Sequence, residues 1–259
     1  MRKIRLAAVK YLNTLPMLHG LQNAPDASGF ELYLGHPAEC ARLLMDGEVD
    51  IALCPVGALP DLPQYHIASQ FGIGCKGPVR TVSIYSDSPL EELKAIKLYG
   101  ESRSSNILVQ VLDREYWKLG LQFVSAEDKM PDVPTGQLVI GDACFEKESE
   151  YQQITDLGDA WFNFTGLPFL FACWVSINPV HEEIRSILDN SFASGIADLA
   201  NLELPTHQLH VNIHHYLRDN IQYKIDEDTL EGMSRFINYA GELNVSSPDV
   251  NQAPSGQPI

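Results

Sequence analysis

Apolar and polar positions along the chain switch repeatedly between a period of two and a period near 3.6. Ile4–Val9 is an apolar, strand-like run. Leu15–Leu21 follows with helical spacing, and Pro16 falls in its first turn, where a missing N–H does no harm. Phe30–Leu34 alternates as a strand, and Pro37–Met45 is an amphipathic helix stopped by Gly47. Asp50–Val56 reads as a buried strand, and Ile67–Gly74 and Val79–Ser86 as strands around a glycine-rich connection. Strand, crossover helix, strand is the grammar of a parallel or mixed sheet covered by helices.

A second round begins near Ser88. Pro89–Lys94 is a short helix and Ile96–Leu98 a strand, and Ser102 to Ser105 offer capping hydroxyls to a helix over Asn106–Trp117. Leu121–Val124 and Gln137–Ile140 are strands, and Asp159–Phe164 is a short helix. Phe169–Ser176 is continuously apolar, too short to span a membrane and suited to a buried crossover strand. Helical spacing then covers Pro179–Leu202 and, after a polar stretch with four histidines, Asp226–Leu243. The tail from Val245 to Ile259, rich in Pro, Ser, Gly and Gln, is expected to be disordered. Two βαβ rounds joined by two strand-like connections predict an α/β protein of two hinged lobes. Residues 1–86 with 176–244 form the first lobe and 87–175 the second, with the ligand in the cleft between them.

Composition narrows the partners. The 259 residues are 45% hydrophobic and carry 18 basic against 34 acidic side chains, a net −16. Such a surface repels phosphate backbones and anionic lipid, so neither nucleic acid nor membrane is an expected partner. An anionic ligand then requires a locally positive pocket. The first residues carry no signal-peptide pattern, and no segment reaches the ~18 apolar residues a membrane helix needs. Five scattered cysteines, Cys40, Cys54, Cys75, Cys144 and Cys173, fit reduced packing residues in a cytoplasmic protein.

Two motifs invite chemistry that their context withholds. Gly72-x-Gly74-x-x-Gly77 has the spacing of a dinucleotide fingerprint, but Pro78 and the strand-like Val79–Ser83 replace the helix that must follow. It is read as a turn near the hinge. His207, His210, His214 and His215 include an i, i+4 pair, without the glutamate of a zinc hydrolase between them, and are read as surface or capping residues. A metal is not expected.

Three strand-to-helix junctions or turns carry more weight. Tyr11-Leu12-Asn13-Thr14-Leu15-Pro16 presents backbone N–H groups and an amide side chain. Ser102-Arg103-Ser104-Ser105 adds hydroxyls and a guanidinium, and Thr165-Gly166-Leu167-Pro168 supplies another backbone-rich turn. Spread over both lobes, they point to a cleft for a small organic acid.

These blocks, with Gly77-Pro78-Val79-Arg80-Thr81-Val82 and Ile140-Gly141-Asp142-Ala143, resemble in order and spacing the chorismate dehydratase family of the futalosine route to menaquinone. The resemblance implies a type II periplasmic-binding-protein-like fold with a mixed sheet in each lobe. It implies a hydro-lyase that removes water from chorismate to give 3-[(1-carboxyvinyl)oxy]benzoate without metal or organic cofactor. Asn13 matches the family's active-site asparagine, and Thr81 stands where a functional serine is expected, keeping the hydroxyl and adding a methyl. Both are expected to orient the substrate. Arg103, Arg80 and the amides near Ser104 and Ser105 are expected to hold its carboxylates, with Thr14, Ser102, Thr165, Gly166 and Leu167 completing the binding surface. Asp142, an odd neighbour for a dianion, is expected to cap or orient a donor. Three other readings stay open: a solute-binding protein for a small carboxylate, a ligand-binding regulatory module, for which no DNA-binding segment is visible, and the sister dihydroxynaphthoate synthase. The last would open with a Ser-Pro-Cys-Pro-Asn-Asp-like segment in place of Tyr-Leu-Asn-Thr-Leu-Pro.

Overall fold

The computed structural model of the chain describes residues 2–100, 102–204 and 211–243. His207, His210 and the tail expected to be disordered lie outside them. The first apolar run forms β1 (Ile4–Val9), which passes through a 3₁₀ turn (Leu12–Thr14) into α1 (Leu15–Asn23). β2 (Phe30–Gly35), α2 (Pro37–Met45) and β3 (Ile51–Pro55) follow, and β1 pairs in parallel with both neighbouring strands. α2 has Pro37 in its first turn with Glu39, and Arg42 in its last, so its charges complement the helix dipole. β4 (His66–Cys75) is the last strand of this sheet before the chain crosses over.

The second sheet draws on β5 (Val82–Ser86), β6 (Ala95–Lys97), β7 (Gln122–Val124), β8 (Thr135–Ile140) and β9 (Gln153–Asp156), in the order β7-β6-β8-β5-β9. Around them lie α3 (Arg103–Leu112), α4 (Ala143–Lys147) and α5 (Leu157–Thr165). The chain then returns as β10 (Phe169–Ser176), α6 (Glu182–Ala197), α7 (Ile213–Asp219), β11 (Gln222–Lys224) and α8 (Glu227–Glu242). β10 and β11 complete a six-stranded first sheet, β11-β4-β10-β3-β1-β2. Both sheets are mixed: β10 runs antiparallel to β3 and β4, and β5 antiparallel to β8 and β9.

The two strand-like runs read from the sequence as connections are strands of the sheets themselves. Val82–Ser86 belongs to the second sheet and Phe169–Ser176 to the interior of the first. That interior position explains the unbroken apolar character of β10, since a strand paired on both edges and covered on both faces has no polar side. The crossings are therefore short, over residues 76–81 and 166–168. Asp156 pins the first: its carboxylate accepts N–H bonds from Val79 (3.1 Å) and Arg80 (2.6 Å) while capping α5 through Gly158 and Asp159.

The glycine fingerprint dissolves here. Gly72 and Gly74 lie inside β4, where a Cβ on Gly72 would stand 2.6 Å from the Ala172 carbonyl of β10. Only Gly77, at φ +97°, makes the turn. The helix expected over Asn106–Trp117 begins three residues earlier, because the Ser102 hydroxyl caps it at Ser105 N (3.4 Å). Its last turn widens to a π-helix over Asp113–Trp117 and ends at Lys118, φ +57°. Trp161, Phe169 and Phe236 form the aromatic centre under α8, with ring centroids 4.9–6.2 Å apart. No described helix is long and apolar enough to cross a membrane.

Candidate active site

A cavity of about 70 Å³ lies between the two sheets, at the C-terminal ends of β1 and β3. The first sheet lines it with Val9, Leu53, Pro55, Ile73 and Phe171, and the second with Val82 and Ile140. Its polar groups come from the joints: Tyr11 and Asn13 after β1, Thr81 before β5, and Ser102, Ser104 and Ser105 at the start of α3. Among the described residues, no Lys, Arg, Asp or Glu lines it. A wider surface groove of about 580 Å³ lies at the opposite, N-terminal end of β1, but Arg2 and Arg5 there are both paired to Asp50.

The joints bring Asn13, Thr81, Ser102, Ser104 and Ser105 into one space. Buried Thr14 supports Asn13 from behind, its hydroxyl donating to Asn13 Oδ1 (3.3 Å). Ser102 Oγ donates to Ser105 Oγ (2.8 Å). Ser104 is a tie: its hydroxyl accepts from Gly57 N (3.0 Å) and donates to Phe171 O (3.0 Å). That tie fixes the amide end of α3 against the cavity, where the partial positive charge of a helix N-terminus favours an anion.

Six expected ligand-binding residues do not line the cavity: Thr14, which lies behind Asn13, and five that stand elsewhere. Arg80 adopts φ +65° and turns its guanidinium to Glu148 (2.8 and 3.0 Å), 5.5 Å from the centre of the Phe145 ring. Arg103 projects from α3 to an ion pair with Asp61, half exposed. Both are removed from the cavity by acidic partners. Thr165, Gly166 and Leu167 form the end of α5: Thr165 Oγ1 donates to Trp161 O (2.8 Å) and accepts from Leu167 N (3.1 Å), and Gly166 supplies the left-handed stop at φ +72°. This turn packs on α8 through Gly232, not on the cavity.

Sequence reasoning missed two contributors. Gly141 lines the cavity at φ +66°, and a Cβ there would stand 2.8 Å from the Tyr11 ring, so two constraints demand glycine. Tyr216, from α7, is fully buried behind the cavity, its hydroxyl 2.9 Å from Thr81 Oγ1. Burial holds its phenol well above the usual value; hydrogen bonding from Thr81 opposes this, the nearby Asp142 charge adds to it, and hydrogen bonding from Asn13 opposes it. The Ile213, Tyr216, Leu217 spacing was the available signal, but it reads equally as a core stripe.

Asp142 does accept a donor, as expected. Its two oxygens receive the Leu12 N–H at 3.3 Å each, joining the second sheet's rim to the turn that carries Asn13. Burial pushes its carboxyl up to about 6, only partly offset by that bond. All five cysteines are buried and unpaired, as expected of packing residues. The described pair, His214 and His215, bonds to Leu199 O and Asp219. No group of three or more metal-ligating side chains occurs among the described residues.

With this geometry in place, comparison with known proteins is informative. A family model described as menaquinone biosynthesis matches residues 4–242. A chorismate dehydratase of Thermus thermophilus is 27% identical, covering 93% of this chain and 96% of that protein. Among solved structures, protein AF1704 of Archaeoglobus fulgidus superposes with a TM-score of 0.70 at 15% identity, covering 93% of this chain and 97% of that one. The Candida albicans CA3427 product, described as having the generic periplasmic binding protein fold, gives 0.64 at 14% identity, covering 95% and 92%. The aliphatic sulphonate binding protein SsuA of Escherichia coli gives 0.56 at 14% identity, covering 93% and 91%. At these identities the structural likeness speaks for the fold, which is periplasmic-binding-protein-like, and fold alone does not fix function.

Proposed function

The chain belongs to the menaquinone biosynthesis family, and from that premise we propose that it is a chorismate dehydratase, a cytoplasmic hydro-lyase acting in the futalosine route. The observation that carries this reading is the meeting of Asn13, Thr81 and the amide end of α3 around one cavity between the sheets. The likeness to the Thermus thermophilus dehydratase over nearly its whole length supports it.

In this reading the substrate's carboxylates are met by the first-turn amides of α3 and the hydroxyls of Ser102 and Ser105, in place of the arginines expected from sequence. The apolar walls, Val9, Leu53, Ile73 and Phe171, receive the ring. The ring hydrogen on the ether-bearing carbon is vinylogous to a carboxylate, so its loss gives a delocalised dienolate. Departure of the neighbouring hydroxyl, with a proton, as water then leaves an aromatic ring. Asn13 cannot be the base, because an amide does not titrate near neutrality. Asn13 and Thr81 orient the ring and the leaving hydroxyl, and the substrate's own enolpyruvyl carboxylate takes the proton. Holding reacting groups in such proximity contributes up to ~7–11 kcal/mol. A cavity of about 70 Å³ is well below the roughly 300–1,000 Å³ of usual ligand sites, so the lobes part to admit substrate.

Ultraviolet absorbance after adding chorismate tests the reading. Catalytic appearance of the aromatic ether in the absence of added metal is expected. A rise in melting temperature without turnover would replace the enzyme with a binding protein, and no response to chorismate would remove this substrate.

A further inference from the structure

Asn13 and Thr81 approach the cavity from different joints of the chain, and Thr81 is not held by its own neighbours alone. Thr81 Oγ1 reaches Val79 O only at 3.4 Å; its closer partner is the Tyr216 hydroxyl at 2.9 Å. Tyr216 comes from α7, 135 positions along the chain, and its ring is set edge-on against Phe145 of α4, centroids 5.0 Å apart. One fully buried phenol therefore holds the Thr81 hydroxyl, one of the two groups that the proposed chemistry relies on. It does not line the cavity itself.

We propose that Tyr216 is a positioning residue that fixes the direction of a hydrogen bond running from Tyr216 to Thr81 and out to the substrate. This rests on the dehydratase reading. A buried phenol keeps its proton and has one to give. Tyr216 donates to Thr81 Oγ1. The Thr81 proton then has Val79 O, at 3.4 Å, as its partner, a long bond that substrate can replace, so Thr81 meets the departing hydroxyl as a donor. A donor in that position is what a leaving hydroxyl needs and what an acceptor would oppose. The threonine methyl fits the same role, because a β-branched side chain has few χ1 choices and the Tyr216 contact selects one.

The test is a double-substitution cycle on the full chain with chorismate as substrate. Y216F removes one oxygen and keeps the ring, and T81V removes the hydroxyl it serves. Y216F is expected to lower kcat about tenfold or more with KM changed less than about threefold, as for loss of a directed hydrogen bond at the reacting end. In the T81V background the same change is expected to matter at least about fivefold less, because its target is gone. Y216F without effect, or losses that simply multiply, overturns the inference while leaving the dehydratase reading intact. A wild-type chain inactive on chorismate removes the reading and the inference together. If Y216F does not fold, a ring-fluorinated tyrosine at 216 replaces it. Fluorination makes the phenol a stronger donor in the same place, so kcat is expected to change with KM held; an unchanged kcat overturns the inference.

Discussion

Replacing Asp142 with asparagine isolates the electrostatic cost of burying a carboxylate where the two sheets meet. Asp142 holds Leu12 N–H through two long bonds, and burial raises its carboxyl from an ordinary 3.8 to about 6. Because the folded pKa is the higher one, the folded chain binds the extra proton between these values. Stability therefore falls as pH rises from about 4 to about 6, and the full penalty is present above that. The difference corresponds to about 3 kcal/mol at 1.36 kcal/mol per tenfold, and solvent reaching the partly exposed carboxyl reduces this to roughly 1–2 kcal/mol. D142N carries no charge and keeps an oxygen for Leu12 N–H. It is expected to be more stable than the parent by roughly 1–2 kcal/mol at pH 8, shrinking to roughly half to two-thirds of that at pH 4.5. Urea unfolding followed by the buried Trp161 and Trp174 measures both. Destabilisation at pH 8, or an equal gain at both pH values, would refute the argument that the buried carboxylate is the source.

Asn13→Asp places a second negative charge beside an anionic substrate, and kcat/KM is expected to fall about 10²–10³-fold, from repulsion of about 4 kcal/mol at close range in a medium of intermediate polarity; retention of nearly full activity would show that Asn13 is not a neutral orienting group. Arg80→Ala and Arg103→Ala are expected to leave kcat/KM within about twofold, since Glu148 and Asp61 already occupy them, with stability losses of about 0.5–1 kcal/mol read by denaturation. A large rise in KM would return either arginine to the substrate. Gly141→Ala combines a left-handed backbone with the Tyr11 contact and is expected to destabilise by about 1–3 kcal/mol and to lower activity, measured by melting and by turnover.

The alternating pattern made the strands and helices of both lobes readable because period two and period 3.6 follow from local geometry. Pro37–Met45 and Phe169–Ser176 are bounded as expected, because proline, glycine and an abrupt end of apolar residues mark them. The short elements β9, β11, α4 and α7 lie in largely polar stretches and were missed, whereas β6 and β7, equally short, were marked by their apolar residues. At the cavity, the placement of Asn13 and the α3 serines was legible because helix starts announce themselves by capping residues. The ion pairs of Arg80 and Arg103 away from it were not. In a chain of net −16, a guanidinium finds a carboxylate easily, and Glu148 lies 68 positions from Arg80. Tyr216 was hidden for a similar reason, its partner Thr81 lying far away along the chain.

The return strand β10 has a consequence for how the chain assembles during synthesis. It sits between β3 and β4, so no backbone bond ties those two strands until residue 176 has been made. Every strand of the second sheet, by contrast, lies between residues 82 and 156 and is complete before β10 begins. The half translated first therefore waits, its central seam open, while the inserted half closes. A later segment, with α7 and β11, then seals the edge and delivers Tyr216. Non-local closure of this kind is slow and exposes unpaired strand edges, so the waiting half is where a ribosome-bound chain is most open to misassociation.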